Sequence, residues 1–572
     1  MTAPDNSSSQ EPKDGEELRI GVFVCRCGTN IAGFLDTETV REYAQTLPGV
    51  VFAKENLFTC SEAGVSEIKR GIEENRLNRV VVAACTPRTH EPLFRATCEE
   101  AGLNPFLFEF VNIREQCSWV HKSARDSATN KAKDLVRMGV ARAALLEAQT
   151  EIRSPVVASA LIIGGGIAGL SAALSLAKRG FEVKLVEKKE EMGGMLRFLG
   201  RIYPADVDAR EIVSARIEEA ANHPNIEIFT STQVSDLRGY IGNYTATLRG
   251  PEDRSEGITV GVIIVATGIR ALVPEGLYGY DGRRVVTQIQ FEQELRKGGD
   301  LPHQVVFIQC VGSRNRERVY CSRICCMTAV RQALMLKEKT PSAGVHILYR
   351  DLQCYGVEFE ELLRKAKKVG VRFVAFREEN PPVVDDGSVT VISDVLGSEL
   401  TVPADRVVLS TALLPDESGA ATSKLLKVPV DADGFFLEAH VKLRPLDFAT
   451  EGIFVCGACR WPCTVSESIA QALGAAGRAS VYLAAGEVAV EPIVAVLFDE
   501  DKCRGCGLCA SLCPYSAIEM VETDSGTKAR MISVACKGCG VCASTCYRRV
   551  IRMEHYSDEQ MQAQISACLK GS

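Results

Sequence analysis

No apolar run in this chain approaches the roughly 18–20 residues that a bilayer span requires, and its start does not pair a basic stretch with an apolar one. The opening, MTAPDNSSSQEPKDGEE, is polar and rich in Ser and Pro. It predicts a disordered tail over residues 1–17 and a cytoplasmic protein without membrane insertion. A net positive charge is also lacking: the formal net charge is −7, with 46% hydrophobic and 24% charged residues. That balance gives no footprint for nucleic acid or an anionic membrane and is otherwise ordinary for a globular protein. At 572 residues, several domains of roughly 100–200 residues each are expected. Cysteine, by contrast, is abundant. There are 23, and because structural disulfides are rare in reducing cytosol, metal or redox chemistry is the expected use.

The C-terminal cysteines carry the most specific pattern. Cys503, Cys506, Cys509 and Cys513 spell C-x2-C-x2-C-x3-C before Pro514, and Cys536, Cys539, Cys542 and Cys546 repeat it. This is the spacing of bacterial two-cluster ferredoxins, in which the fourth cysteine of each run crosses to the other cluster. One [4Fe–4S] cluster is therefore expected on Cys503, Cys506, Cys509 and Cys546, the other on Cys536, Cys539, Cys542 and Cys513. Soft thiolates suit iron–sulfur; a pair of zinc knuckles is the competing reading. Tyr547 stands where a proline usually follows the last cysteine, which removes no ligand.

The middle of the chain reads as a dinucleotide site. In ALIIGGGIAGLSAALSLAKRGFEVKLVEKK, Gly164, Gly166 and Gly169 form G-x-G-x-x-G directly after an apolar strand, and Glu187 ends the next strand. Backbone N–H groups at a helix N-terminus would hold a pyrophosphate, with the carboxylate on ribose hydroxyls. Ala266, Thr267 and Gly268 follow a buried strand in VGVIIVATGIR, and GIFVCGACRWPCTVSESIAQALGAAGRAS supplies Gly457, Ser466 and a small-residue helix. With Lys188 and Gly194 these complete the expected FAD contacts of a two-dinucleotide-domain module of the thioredoxin reductase type. A Rossmann domain holding NAD alone is the alternative.

Such modules normally carry a second glycine fingerprint, for NAD(P)H. Here that place reads QVVFIQCVGSRNRERVYCSRICCMTAVRQALML: a strand runs into Cys310, Gly312 stands alone, and no G-x-G-x-x-G follows. Cys310, Cys321, Cys325 and Cys326 fall at the strand end and the following helix start, where α/β sheets hold ligands. They could bind one [4Fe–4S] cluster. A relay disulfide is less apt, because no C-x-x-C occurs here and adjacent Cys325 and Cys326 cannot easily join without strain.

Residues 18–150 alternate apolar strands (RIGVFVC, VVFAKE, RVVVAAC, PFLFEFV) with helical stretches, which implies a parallel, flavodoxin-like α/β unit. Cys27, Cys60, Cys85 and Cys117 each sit at or just past an expected strand end, so four sulfurs could converge on one sheet edge. Cys25 competes with Cys27 as a ligand. His90 and His121 are expected to be structural, and Cys98 and Cys568 plain residues. Cys456, Cys459 and Cys463 could flank the flavin, pair, or join Cys354 in another cluster.

VFIQCVGSR, YCSRICC, VFVCRCGTNIAG, ACTPRTHEPLFR, NIREQCSWVH and MEHYSDEQMQAQISA together resemble the A-type subunit of heterodisulfide reductase and its relatives, from about residue 18 to the end. The resemblance implies FAD, about four clusters including one in the N-terminal unit, and a homodimer within a larger electron-transfer complex. It also implies ferredoxin or another donor or acceptor protein as partner. The methanogen form resembles this chain with an extra ferredoxin module inserted in the flavin domain. No cysteine occurs between Cys117 and Cys310 here, so that module is absent.

The expected architecture is therefore α/β throughout most of the chain. A tail (1–17) precedes the N-terminal α/β unit (18–150), the FAD module (151–490) and an α+β two-cluster ferredoxin domain (491–572). A flavin handles electrons in pairs or singly and a cluster one at a time, so the chain reads as an oxidoreductase subunit that converts and conducts, with flavin-based bifurcation implied by the resemblance alone. Two other readings stay open: a self-sufficient NAD(P)H-dependent enzyme resembling the small subunit of glutamate synthase, and a non-catalytic conduit or scaffold.

Overall fold

A computed structural model of the chain describes residues 17–202 and 206–570. The tail expected over residues 1–17 lies, Glu17 excepted, outside the described residues. The chain divides into two compact units: residues 1–153 together with 489–572, and residues 154–488. The first unit thus joins the two ends of the sequence.

Its N-terminal part is a four-stranded parallel sheet in the order Val50–Asn56, Ile20–Cys25, Arg79–Ala84, Phe108–Asn112. The strands are apolar because both faces are covered, as parallel sheets require; Val22, Phe23, Val24, Val80, Val81 and Val82 are fully buried. Each such side chain contributes about 1.5–3 kcal/mol relative to exposure. Asp36 and Ser61 cap the helices Thr37–Gln45 and Glu62–Asn75 by accepting from backbone N–H groups, which satisfies donors a helix end leaves open. All four strands end at the same sheet edge, and each chain segment leaves that edge carrying a cysteine.

The C-terminal part repeats one small motif. Helices Leu508–Leu512 and Val541–Thr545 each follow a glycine in the left-handed region, Gly507 and Gly540. Strands Ile518–Thr523 and Gly526–Met531 pair as a hairpin, and Ala495–Leu497 pairs antiparallel with Ile551–Met553. The closing helix Asp558–Leu569 packs on Arg125–Ala143 of the N-terminal part. Arg137 Nε donates to the Ala567 carbonyl at 2.7 Å and Gln560 Nε2 to that of Leu145 at 2.9 Å. Arg142, almost wholly buried, donates to Glu109 and to the His555 carbonyl and stacks 4.3 Å from the Tyr556 ring centre.

The second unit holds two parallel five-stranded sheets. The first runs Ile226–Phe229, Glu182–Val186, Ser159–Ile163, Val262–Val265, Ile453–Val455. The second runs Val285–Thr287, Arg406–Thr411, Gln304–Val311, Gly344–Tyr349, Arg372–Ala375. In each, the central strand leads to a helix, the first through the short turn 164–166 and the second through the longer loop 312–324: Ser159–Ile163 into Ile167–Ala177, and Gln304–Val311 into Cys325–Lys339. No helix among the described residues is long and apolar enough to cross a membrane.

Candidate functional site

A cavity of about 280 Å³ lies in the second unit. Gly164, Gly166, Glu187, Lys188, Gly194, Ala266, Thr267 and Gly268 line it. Gly164 is at φ +115°, and a Cβ there would meet the Ala266 carbonyl oxygen at 2.3 Å; one on Gly169 would meet the Gly164 oxygen at 1.8 Å. Only glycine allows the turn and the close helix–strand approach. At Gly166, the N-cap of the helix, a Cβ would meet nothing within 4 Å, and Gly166, Ile167 and Ala168 line the cavity, so the helix start borders open space. Glu187 accepts from the N–H of Gly165 at 2.8 Å and of Lys189 at 2.9 Å, which fixes its carboxylate at the strand end.

These residues fit FAD. Thr267 Oγ1 and Gln332 Oε1 are buried without hydrogen-bond partners, both line the cavity, and buried polar atoms of this kind call for a ligand or ordered water. Lys188 Nζ pairs with Asp416 at 2.5 Å. Burial pulls the Asp416 carboxyl upward, but Lys188 and Ser418 outweigh it and hold the group below its usual range.

Two expected contacts lie elsewhere. Ser466 is exposed, and Ser468, two residues on, reaches the cavity instead; a helix turn of 3.6 residues puts them on different faces. Gly457 is a packing residue: its Cβ would meet that of Ala168 at 2.8 Å, and its N–H donates to Gln471. Sequence reading missed Asp416, Gln288, Glu292, Arg331 and Gln332, whose positions follow no local motif.

One wall of this cavity is made of the cysteine loop. Ile324, Cys325, Met327 and Thr328 line it. Cys310 is at φ +63°, a left-handed conformation rare for a non-glycine residue, at a shift in strand register between Ile308 and Val311. Burial first, then Cys326, pushes the Cys310 thiol up to about 11, with Arg314 and Arg350 pulling the other way and Cys321 adding to the rise. Cys325 in turn feels Cys326, Cys310 and Cys321, so the four thiols are electrostatic neighbours. Beside them, both side-chain amide atoms of Gln309 and Ser410 Oγ are buried without partners. Cys354 also neighbours Cys326. Of the remaining group, Cys463 lines the flavin cavity, while Cys459 Sγ is directed at the Cys456 carbonyl, 3.2 Å away.

In the C-terminal part, Cys503, Cys506, Cys509 and Cys546 surround one small cavity, and Cys513, Cys536, Cys539 and Cys542 surround another. The N–H groups of Ala517 and Ala495 point at Cys513 Sγ and Cys536 Sγ, at 3.3 and 3.4 Å. Among the described residues no three His, Cys, Asp or Glu side chains converge as for a single metal ion; the sulfurs stand around a space, which suits a cluster of several irons.

At the N-terminal sheet edge Cys25, Cys27, Cys60 and Cys85 influence one another electrostatically around Arg114. The Thr59 N–H donates to Cys25 Sγ at 3.4 Å, and Asn56 Nδ2 and Thr59 Oγ1 are buried without partners nearby in the chain. Cys117 is not brought to this group. It is fully buried, its Sγ donates to the Ala128 carbonyl at 2.9 Å, and its electrostatic neighbour is Lys131. The strand Phe108–Asn112 is the sheet's outer strand, and the irregular helix Arg114–Ser118 after it turns the thiol under Arg125–Ala143.

The family described as pyridine nucleotide-disulphide oxidoreductase matches residues 158–479, and the 4Fe-4S dicluster domain matches 496–553. The protein is an oxidoreductase that binds FAD and iron–sulfur clusters. Solved structures similar to it include thioredoxin reductases of T. acidophilum (18% identical, TM-score 0.41, 57% of this chain and 98% of that one) and Lactococcus lactis (19%, 0.42, 57% and 99%). Two similar curated relatives are A-type subunits: one, iron-sulfur and numbered 2, of the CoB–CoM heterodisulfide reductase of Methanopyrus kandleri, the other of the H(2):CoB-CoM heterodisulfide,ferredoxin reductase of Methanothermobacter marburgensis. The first is 40% identical over 657 residues, covering 97% of this chain and 99% of that one; the second is 39% identical over 655, covering 97% and 98%. Both alignments exceed the 572 residues of this chain, so these relatives carry residues that it lacks. At this identity over nearly the whole of both chains, the protein belongs to the family of heterodisulfide reductase A-type subunits.

Proposed function

We propose that this chain is the flavin subunit of a heterodisulfide reductase-like complex, exchanging electrons in pairs at one FAD and singly along about four [4Fe–4S] clusters. The observation that carries the reading is the shared wall: Cys325, in the cysteine loop, lines the same cavity as the dinucleotide glycines. When bound, FAD supplies the exchange between two-electron and one-electron transfer. The chain's own residues hold it: Gly164 and Gly166 admit the pyrophosphate to the helix start, Glu187 takes the ribose, and Thr267 and Gln332 offer their open polar atoms.

Cys310, Cys321, Cys325 and Cys326 hold the cluster beside it, and the two C-terminal sets hold two more. The N-terminal cluster is assigned to Cys27, Cys60, Cys85 and Cys25, with Cys117 replaced on the grounds of its burial under the following helix. The name of the M. marburgensis relative couples a heterodisulfide with ferredoxin. The partners proposed are accordingly a ferredoxin and a disulfide-reducing subunit, with a homodimer of this chain inside the complex and bifurcation between the two acceptors as its mode.

Anaerobic purification followed by iron, acid-labile sulfide and flavin analysis tests this. About sixteen irons and one FAD are expected per chain, with about four irons lost in a Cys310/Cys321/Cys325/Cys326 serine variant. About eight irons, unchanged in the variant, would leave only the C-terminal pair. A purified complex that never couples ferredoxin reduction to a second acceptor would remove bifurcation.

A further inference from the structure

Between Cys321 and Cys325 the chain carries a side chain that reaches away from the thiols. Arg323 sits at φ +61°, a conformation that costs a non-glycine residue of order 1 kcal/mol or more and persists where the surroundings impose it. Its backbone N–H points at Cys321 Sγ, 3.3 Å away. Its guanidinium forks onto Glu467, with one nitrogen 2.8 Å from Oε1 and the other 3.5 Å from Oε2. The same guanidinium donates to the Pro462 carbonyl at 2.9 Å and to Tyr355 Oη at 2.8 Å.

Glu467 is itself fixed. It is the third residue of the helix Val465–Ala485, where its Oε2 accepts from the Thr464 N–H at 2.7 Å while its own N–H donates to Thr464 Oγ1 at 3.1 Å. This is a capping box, which defines where a helix begins. Cys463, Thr464, Val465 and Ser468 of that helix start line the flavin cavity, and Ile324 and Cys325 line it from the other side. One arginine therefore ties the cysteine loop to the helix start that flanks the flavin.

We propose that Arg323 is a positioning residue for electron transfer, holding the Cys310/Cys321/Cys325/Cys326 cluster at its working separation from FAD through the Arg323–Glu467 fork. The inference rests on the cluster reading above. In the step it would serve, one electron would leave the reduced flavin for the cluster, lowering the cluster's charge by one; the cluster would pass that electron on to another cluster of the chain before taking the second. Reductant enters from outside, in the test from a sacrificial electron donor that reduces light-excited flavin, so that electrons reach the clusters through the flavin. A charge-assisted fork fixes orientation as well as adding attraction. Because both side chains are about one-third exposed, its effect is expected on geometry more than on stability.

The test uses the full-length, cofactor-loaded chain with Arg323→Gln, Glu467→Gln and the double variant. Glutamine retains the capping box but not the ion pair. After rapid flavin reduction, the rate at which cluster absorbance bleaches is expected to fall roughly ten- to a hundred-fold in each single variant. The double variant should fall no further, with iron, FAD and melting temperature near parental values. Arg323→Lys, which keeps charge without the fork, should recover only part of the rate. Full loading with rates within two-fold of the parent overturns the proposal. So does additive loss in the double variant, or a loss of about four irons from Arg323→Gln, which would make Arg323 a structural support of the ligands. If the parent itself loses no iron on replacing the four cysteines by serine, the cluster reading fails first, and this proposal with it.

Discussion

The two parallel sheets of the second unit place opposite chemistry at the same point. Where strand Ser159–Ile163 ends, Gly164 takes φ +115° and Gly166 leaves room around a helix start. Where strand Gln304–Val311 ends, a left-handed residue is again needed, but it is Cys310, and the next helix opens on Cys325 and Cys326. A sheet of this kind presents ligands at its strand ends whatever the ligand is; the side chains there decide between a phosphate and a metal centre. At the first the turn leaves space without side chains; at the second it gathers thiols, beside the unpartnered amide of Gln309, which is the ground for the cluster proposed there.

The largest effect expected from breaking this contrast is at the glycine. Gly164→Val puts a branched Cβ against the Ala266 carbonyl, at 2.3 Å for the first carbon alone, in a left-handed conformation that valine resists. FAD content should fall at least ten-fold, while the iron held by the C-terminal pair persists. Flavin and iron analysis on the purified variant checks it. Parental flavin content would mean the ligand is not held at this turn. The contrast is sharpened from the other side by NADH: with no second glycine fingerprint, the isolated chain's flavin should not bleach within a mixing experiment. Rapid bleaching would restore the self-sufficient NAD(P)H reading.

The cysteines teach the same lesson on a smaller scale, and they show what sequence can convey. The C-terminal sets are legible because ligands three or four residues apart lie on one short stretch of chain, so local spacing fixes which sulfurs meet, and the crossing of Cys513 and Cys546 follows from the repeat. The N-terminal group has ligands on different strands. Strand ends are visible as apolar runs, which locates Cys27, Cys60, Cys85 and Cys117 and leaves Cys25 competing with Cys27; that Cys117 points away from the group depends on where the outer strand's loop turns, which no spacing encodes. For the same reason the sequence points to Ser466 and the structure to Ser468: the pattern locates the helix but not its rotation. Cys25→Ala should therefore remove about four irons, and Cys117→Ala none, costing only about 1–3 kcal/mol of stability from the buried gap. Metal analysis and thermal melts on both variants decide, and the reverse result would return Cys117 to the ligand set.

The junction of the N- and C-terminal parts of the first unit gives the smallest effect, and the one that parts them most gently. His555 sits edge-on to Phe106 and Tyr556, its Nδ1 buried without a partner. Burial, with Arg142 and then Arg95 adding to it, pushes its pKa down from 6.5 to about 3. A histidine depressed in the folded state binds fewer protons than when exposed, so its contribution is complete above pH 6.5 and is lost as pH falls from there toward 3. Glu109 works against this: burial, set against the pull of Arg142, raises it to about 7, so the folded state gains a proton there first as pH falls from 7 toward 4.5. Replacing the histidine isolates its share. In the loaded chain, amide exchange of helix Asp558–Leu569, corrected for its intrinsic pH dependence, should lose protection between about pH 6.5 and 5 more steeply than in His555→Gln. Identical slopes in the two would mean that the closing helix releases from Arg125–Ala143 without exposing His555, and that the lock lies in the Arg142–Glu109 pair alone.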